Sequence, residues 1–179
     1  GTEKYTVTYG YGLATTALQL VAGVNTVANK GVFVEPRLVK ATIDQNGKRK
    51  DVAPSKTRSV LTEATSATMT ELMREAVCTG TGELAKVKGM EIAGKTGTGY
   101  KVQANGTYAT DTGGRRYFAS FAGFFPARNP RITMLVSIDE PSADSRDRFG
   151  GTAAAPVFAR LVPTIMRELA IESTGPSTG

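Results

Sequence analysis

Four consecutive residues, Lys95-Thr96-Gly97-Thr98, have the side chains in this sequence that best fit a binding site for an anion. A lysine ammonium attracts a negatively charged group, and threonine hydroxyls add hydrogen bonds to it. Gly97 lacks a Cβ atom, so a bound ligand can lie close to the backbone at this point. The surrounding sequence allows two forms of such a site.

The first form is a phosphate-binding loop, because Gly89 to Thr96 match the pattern G-x-x-x-x-G-K-T. The apolar run Ile132 to Ile138, followed by Asp139-Glu140, imitates the strand and acidic pair that accompany such loops. A phosphate-binding loop works because a helix begins at its Lys-Thr, and the N–H groups and dipole of that helix hold the phosphates. Here Gly97 and Gly99 fall in the first turn and no apolar helical face follows, so binding of ATP is the less favoured alternative.

The second form is a strand, because the residues from Met90 to Gly97 run apolar or alternate and do not resemble a flexible loop. K-T-G on a strand accompanies S-x-x-K and a Ser-x-Asn motif in penicillin-recognising serine enzymes. In that setting the lysine and the threonine hydroxyls hold a substrate carboxylate, and the strand edge pairs with an extended substrate. The backbone N–H of Thr98 would point at a developing oxyanion.

Apolar side chains at helical spacing predict three helices around this strand. The first covers Thr15 to Asn29 and can be capped by a threonine, and the second begins at Thr62. Thr79-Gly80-Thr81-Gly82 ends the second helix. The third covers Ala153 to Leu169, with Pro156 in its first turn, where proline is tolerated.

Two further strands are predicted at Tyr117 to Phe125 and at Arg131 to Asp139, joined by a short turn at Asn129-Pro130. Tyr100 to Arg116 is predicted to be a long loop before this hairpin. Both hairpin strands are largely apolar, so we expect helices on both faces of the sheet. The predicted fold class is α+β, with an antiparallel sheet covered by helices. One domain of residues 1–172 and a polar tail of residues 173–179 are expected.

The composition excludes several kinds of site. The net charge of +6 is scattered, and its one dense run, Lys48-Arg49-Lys50, follows a turn and is interpreted as a solvated loop, so no nucleic acid partner is expected. There is no histidine, which excludes Ser-His and Cys-His mechanisms within the chain. The single cysteine, Cys78, lies in an apolar helical pattern, and no Cys/His cluster can hold zinc, so no metal or cofactor is expected. No apolar run approaches the roughly 18 residues of a transmembrane helix.

Six blocks between Tyr9 and Leu169 match one family in the right order. The first is Tyr9-Gly10-Tyr11-Gly12 with Thr16, Leu18 to Leu20 and Ala28 to Gly31. The others are Pro36 to Val39, Gly80-Thr81-Gly82, Ile92 to Thr98, Phe121 to Ala127 with Asn129-Pro130, and Gly150-Gly151 with Ala154 to Phe158. Together they resemble the C-terminal part of the transpeptidase domain of class B penicillin-binding proteins, the peptidoglycan synthases of cell division and elongation. The division type is the closer match.

The resemblance implies a penicillin-binding, serine β-lactamase-like fold and a peptidoglycan D,D-transpeptidase. Such an enzyme cross-links stem peptides through an acyl-serine intermediate and is acylated by β-lactams. Lys95, Thr96, Gly97 and Thr98 would bind substrate, and the Thr98 N–H would form part of an oxyanion hole. Implied partners are stem peptides, β-lactams and division or elongation proteins. The implied location is the extracytoplasmic face of the bacterial cytoplasmic membrane, with an anchor that is not present in this chain.

Two motifs of that family are absent from these 179 residues. No lysine has a serine three residues before it, and no asparagine has a serine two residues before it. We therefore expect the chain to be the C-terminal portion of one transpeptidase domain, inactive alone and partnered by the N-terminal portion that carries the serine. The alternative is a catalytically dead homologue that acts as a binding module.

Overall fold

The structure is a computed structural model that describes residues 14–142 and 146–174. In chain order the helices and strands are α1 (Ala17–Ala28), β1 (Val32–Val34), β2 (Ala41–Ile43), β3 (Arg49–Asp51), β4 (Thr57–Ser59), α2 (Glu63–Cys78), β5 (Ala93–Tyr100), β6 (Tyr117–Phe125), β7 (Ile132–Asp139) and α3 (Ala155–Glu168). Strands β1 and β4 form one small antiparallel sheet, and β2 and β3 form another. The sheet that bears on function has the order β5-β6-β7.

Threonine caps start the first two helices, as predicted. The Thr16 hydroxyl accepts from the Gln19 N–H, and the Gln19 side chain accepts from the Thr16 N–H, which is a capping box. The Thr62 hydroxyl accepts from the Thr65 N–H in the same way. Each bond satisfies an N–H group that has no partner inside its helix, which fixes where the chain turns helical.

The closing helix begins later than predicted. A π-helical segment, Gly150–Ala154, precedes α3, which runs from Ala155 and not from Ala153. The glycine pair Gly150-Gly151 packs against the backbone of other segments, which determines the path of this segment. Pro156 lies in the first turn of α3, as predicted.

The three long strands are antiparallel, which confirms the predicted hairpin and fold class. β6 pairs with β7 from Phe118 opposite Asp139 to Phe125 opposite Ile132. β5 differs from its predicted bounds of Met90 to Gly97, because it begins at Ala93 and extends to Tyr100. Its pairing with β6 continues through Tyr100 opposite Tyr117, whose rings lie 5.5 Å apart. Backbone pairing thus overrides the low strand propensity of two glycines, and K-T-G lies within the strand and not at its end.

Both faces of this sheet are covered, as predicted. On one face Phe121 and Phe125 of β6 pack edge-on against Phe158 of α3, with ring centroids 4.8 and 6.0 Å apart. On the other face Phe124 packs in a cluster that includes Met73 of α2 and Val24 of α1. The phenylalanines of these clusters are fully buried, and each contributes about 1.5–3 kcal/mol by leaving water. The two clusters pack the sheet between the helices.

The remaining sequence predictions concern the basic run, the cysteine, membrane-spanning helices and metal ligands. Lys48 to Lys50 are exposed in the β2–β3 hairpin, as expected of a solvated run. Cys78 is partly buried at the end of α2. Within the described ranges no helix is long and apolar enough to cross a membrane, and no three His, Cys, Asp or Glu side chains gather as metal ligands.

Candidate active site

The four predicted site residues lie in the middle of β5. Lys95 and Thr98 are exposed, whereas Thr96 and Gly97 are half-buried. The Lys95 ammonium donates to the Thr96 carbonyl at 2.9 Å and lies 3.5 Å from the Thr96 hydroxyl. No helix begins here, so the phosphate-binding loop interpretation is wrong.

The backbone of β5 is open on one side. β5 pairs with β6 along one edge, and no strand of the described residues pairs with its other edge. In an antiparallel pair, alternate residues direct their N–H and C=O groups away from the partner strand. The Thr96 carbonyl is directed this way, since it accepts from Lys95 Nζ. Thr98 lies two residues further along, so its N–H faces the same open edge.

The Thr96 hydroxyl is held by the turn that follows α2. Thr96 Oγ1 lies 2.7 Å from Thr81 Oγ1, and either oxygen can be the donor. The turn is joined to the end of α2, because the Gly82 N–H donates to the Ala76 carbonyl at 2.9 Å. A Cβ atom on Gly80 would lie 2.9 Å from that same carbonyl oxygen. The glycines on both sides of Thr81 therefore let the turn lie against the end of α2.

The Thr98 hydroxyl is held by the start of the π-helical segment. The Gly150 N–H donates to Thr98 Oγ1 at 3.0 Å. A Cβ atom on Gly150 would lie 2.3 Å from the Ser120 carbonyl oxygen and 2.4 Å from that of Gly97. Only a glycine permits this approach, so Gly150 is what brings the segment close enough to bond Thr98.

A cavity of about 410 Å³ adjoins these hydroxyls. Thr81, Thr96 and Thr98 line one part of it, and the partly exposed side chains of Leu84 and Phe149 line another. The arrangement offers an ammonium, two threonine hydroxyls and an outward backbone N–H within one strand edge. These groups suit a ligand that carries a carboxylate and an adjacent polar carbonyl.

Ion pairs fix the residues that come directly before β5. Arg74 of α2 contacts Glu71 and donates to Glu91, which lies two residues before β5, at 2.8 Å. Arg128 approaches Glu91 to 3.2 Å from the β6–β7 turn. Partial burial opposes the charge on Arg74, but the hydrogen bond to Glu71 and the charge of Glu91 outweigh it, so its pKa is raised. This network ties the start of β5 to α2 and to the hairpin.

A second charged cluster closes the loop between β5 and β6. Lys101 donates to Asp139 at 2.7 Å and to Glu140 at 2.8 Å, and Arg116 donates to Glu140 at 2.6 Å. The hydrogen bonds to Asp139 and Glu140 raise the pKa of Lys101. The hydrogen bond from Lys101, assisted by the charge of Arg116, lowers the pKa of Glu140. The ends of the predicted loop are thus fixed to the end of β7.

Sequence reasoning found the strand residues but not their partners. Thr81 and Gly150 belong to the blocks that resemble the family, but no local pattern assigns either of them a role. The flanking glycines at positions 80, 82 and 151 are the signal that these backbones lie close to others. Tyr9 to Gly12, which were expected to match the family, lie outside the described residues.

Comparison with known proteins now identifies the family. Residues 2–163 match the family described as the penicillin binding protein transpeptidase domain. The chain belongs to this family. Its resemblance to the transpeptidase domain of class B penicillin-binding proteins is therefore confirmed.

Curated relatives of the penicillin-binding protein family extend well beyond this chain. Stage V sporulation protein D of Bacillus subtilis is 33% identical over 172 residues, which are 95% of this chain and 26% of the relative. Peptidoglycan D,D-transpeptidase FtsI of Escherichia coli is 32% identical over 178 residues, which are 99% of this chain and 27% of the relative. The chain therefore spans about a quarter of the length of these relatives.

The fold of this chain also resembles solved structures of penicillin-binding proteins. Penicillin binding protein 3 of Mycobacterium tuberculosis complexed with ampicillin superposes with a TM-score of 0.80 and 32% identity, over 95% of this chain and 38% of that chain. The transpeptidase domain of penicillin-binding protein 3 from Burkholderia pseudomallei gives a TM-score of 0.75 and 31% identity, over 97% of this chain and 48% of that one. The α+β arrangement is therefore that of a penicillin-binding transpeptidase domain.

The close approach at Gly150 predicts a large effect of a single methyl group. Gly150→Ala should lower the free energy of unfolding by about 1–3 kcal/mol, because a Cβ atom would overlap two backbone oxygens. Gly23→Ala in α1 is the matched control, since no atom lies within 4 Å of its added Cβ, and it should stabilise by about 0.5–1 kcal/mol. Denaturant unfolding measures both. Equal stability of the Gly150→Ala protein and the unsubstituted protein would contradict the packing described.

The Glu140 cluster predicts a defined pH dependence. Because the pKa of Glu140 is lowered by Lys101, its ion pairs stabilise the fold above the unfolded-state pKa of a glutamate, and this contribution is lost as the pH falls through the folded pKa. Lys101→Met should raise the pKa of Glu140 in an NMR titration of its side-chain carboxyl carbon. Lys86→Met removes a separate exposed ion pair, the one with Glu83, and should leave the pKa of Glu140 unchanged. An unaltered Glu140 titration in Lys101→Met would show that the pair does not form.

Proposed function

We propose that this chain forms part of a peptidoglycan D,D-transpeptidase that β-lactams acylate. The observation that carries the proposal is the open edge of β5, where an exposed lysine and two threonine hydroxyls stand beside an outward N–H. Relatives at comparable identity bear the matching name, among them the probable peptidoglycan D,D-transpeptidase PenA of Neisseria meningitidis, 33% identical over 98% of this chain. The division type fits these relatives, and the elongation type is the alternative.

Lys95, Thr96 and Thr98 hold the substrate carboxylate in this proposal. The stem peptide of peptidoglycan ends in a carboxylate, and penicillins carry one in a similar position. Hydrogen bonds from an ammonium or a hydroxyl to a carboxylate are short and roughly twice as strong as neutral ones. Gly97 leaves the strand surface flat, so the peptide backbone can lie along β5 as an added strand.

The backbone N–H of Thr98 stabilises the charge that develops during acyl transfer. A serine hydroxyl attacks the carbonyl carbon, its proton passes to the leaving amine, and the carbonyl oxygen becomes negative in between. An oriented N–H donor at that oxygen contributes about a hundred- to a thousandfold in rate in comparable sites. The amine of a second stem peptide then attacks the acyl-serine, which forms the cross-link and restores the serine.

The serine itself lies outside these 179 residues in our account. Neither S-x-x-K nor Ser-x-Asn occurs in the chain, which spans about a quarter of its relatives, 26% for the sporulation protein. We propose that the N-terminal portion of the same domain supplies both motifs, and that residues 1–172 complete it as its C-terminal portion. The chain alone is then inactive. A catalytically dead homologue that binds stem peptides is the alternative, and it predicts no acylation of the complete protein.

The remaining partners follow from the same proposal. Stem peptides and β-lactams bind at β5, and division or elongation proteins bind other parts of the complete protein. The enzyme works at the extracytoplasmic face of the bacterial cytoplasmic membrane, where its substrate lies, held by an anchor outside this chain. Neither a cofactor nor a metal enters the reaction as proposed.

Substitution of Lys95 tests the proposed carboxylate site most directly. Lys95→Ala in the complete protein should slow acylation by fluorescent penicillin by about ten- to a hundredfold, because a hydrogen bond to a charged group contributes about 1.5–3 kcal/mol. Lys88→Ala removes another exposed lysine, one that lies before β5; it is the matched control and should not change the rate. The loss should also shrink at high salt, which screens the attraction. Unchanged acylation in Lys95→Ala would refute the assigned role.

A further inference from the structure

The turn residue Thr81 contacts the proposed carboxylate site, yet the mechanism above gives it no role. Its hydroxyl lies 2.7 Å from that of Thr96, across a sequence separation of 15 residues. Its carbonyl oxygen would lie 2.3 Å from a Cβ atom on Gly151, so the turn is seated against the start of the π-helical segment. The backbone of Thr81 therefore packs against the π-helical segment, while its hydroxyl faces Thr96 of β5.

The direction of the hydrogen bond between the two threonines decides what Thr96 can bind. A hydroxyl has one proton to donate and two lone pairs that accept. An ionised carboxylate only accepts, so Thr96 can bind it only if its proton is not already given to Thr81. The useful arrangement is the one in which Thr81 donates to Thr96 and Thr96 donates to the ligand.

At Thr98 the direction of the corresponding hydrogen bond is fixed. The Gly150 N–H must be the donor in its 3.0 Å bond to Thr98 Oγ1, because a backbone N–H cannot accept. The Thr98 proton is thus left for a ligand. With Thr81 as donor, both hydroxyls on this side of β5 accept from the protein and keep their protons for an anion.

We propose that Thr81 is a positioning residue that donates to Thr96 and thereby selects ligands with a free carboxylate over those with a blocked one. The inference rests on the proposed function, since it assumes that the carboxylate binds at Thr96 and Thr98. Esterified or amidated ends keep only neutral acceptors, which bind the oriented proton more weakly than an ionised carboxylate does.

The test compares a penicillin with its methyl ester on the complete protein, using competition with fluorescent penicillin to obtain each acylation rate. Thr81→Val should lower the rate for the acid by about two- to tenfold, the value of one hydrogen bond. The rate for the ester should fall by a smaller factor, because its neutral carbonyl accepts a weaker hydrogen bond, so the acid-to-ester ratio falls. Thr81→Ser keeps the hydroxyl and should restore the ratio.

Controls separate positioning from a structural effect. Thr79→Val removes a neighbouring hydroxyl that bonds Glu75 and not β5, so it should leave both rates unchanged. Thr96→Val should lower the ratio as well, and adding Thr81→Val to it should cause no further fall, because Thr81 acts through Thr96. An equal loss with acid and ester, or an unchanged ratio in Thr81→Val, would overturn the inference while leaving the proposed function intact. A complete protein that neither compound acylates would overturn both.

Discussion

Strand β5 is bonded to β6 along one edge, while no strand among the described residues pairs with the other edge, and this asymmetry determines the site. The paired edge fixes the strand in place, so its side chains have defined directions. The open edge leaves alternate N–H and C=O groups for a ligand. An open edge is ordinarily a liability, because it can pair with any extended chain. Under the proposed function, this open edge receives an extended peptide substrate as an added strand.

The hydroxyls along that edge are oriented by two segments from distant parts of the sequence. The turn after α2 contacts Thr96, and the segment before α3 contacts Thr98, across separations of 15 and 52 residues. Both contacts need backbones closer together than a Cβ atom permits, so the glycines around the site support its chemistry without taking part in it. The aromatic cluster of β6 and α3 lies beneath and keeps these segments from moving apart.

Much of this could be predicted from the sequence, because the relevant signals are local. The threonine caps, the apolar hairpin and K-T-G all lie within short windows, and the predicted bounds of β6 are the observed ones. The bounds of β5 were wrong, since strand propensity cannot anticipate that pairing with β6 carries the strand through Gly97 and Gly99. The contacts of Thr81 and Gly150 exist only in the folded chain, so no local pattern could assign them. The predicted roles of Lys95 to Thr98 in binding and oxyanion stabilisation stay predictions.

The central claim is that this chain supplies one wall of the site while the nucleophile lies elsewhere in the protein. Mass-spectrometric mapping of the complete protein after reaction with penicillin tests it most directly. The account predicts a covalent adduct on a serine that a lysine follows three residues later, in a peptide outside residues 1–179, and no adduct on this chain by itself. A stable adduct on any residue between Gly1 and Gly179 would contradict it.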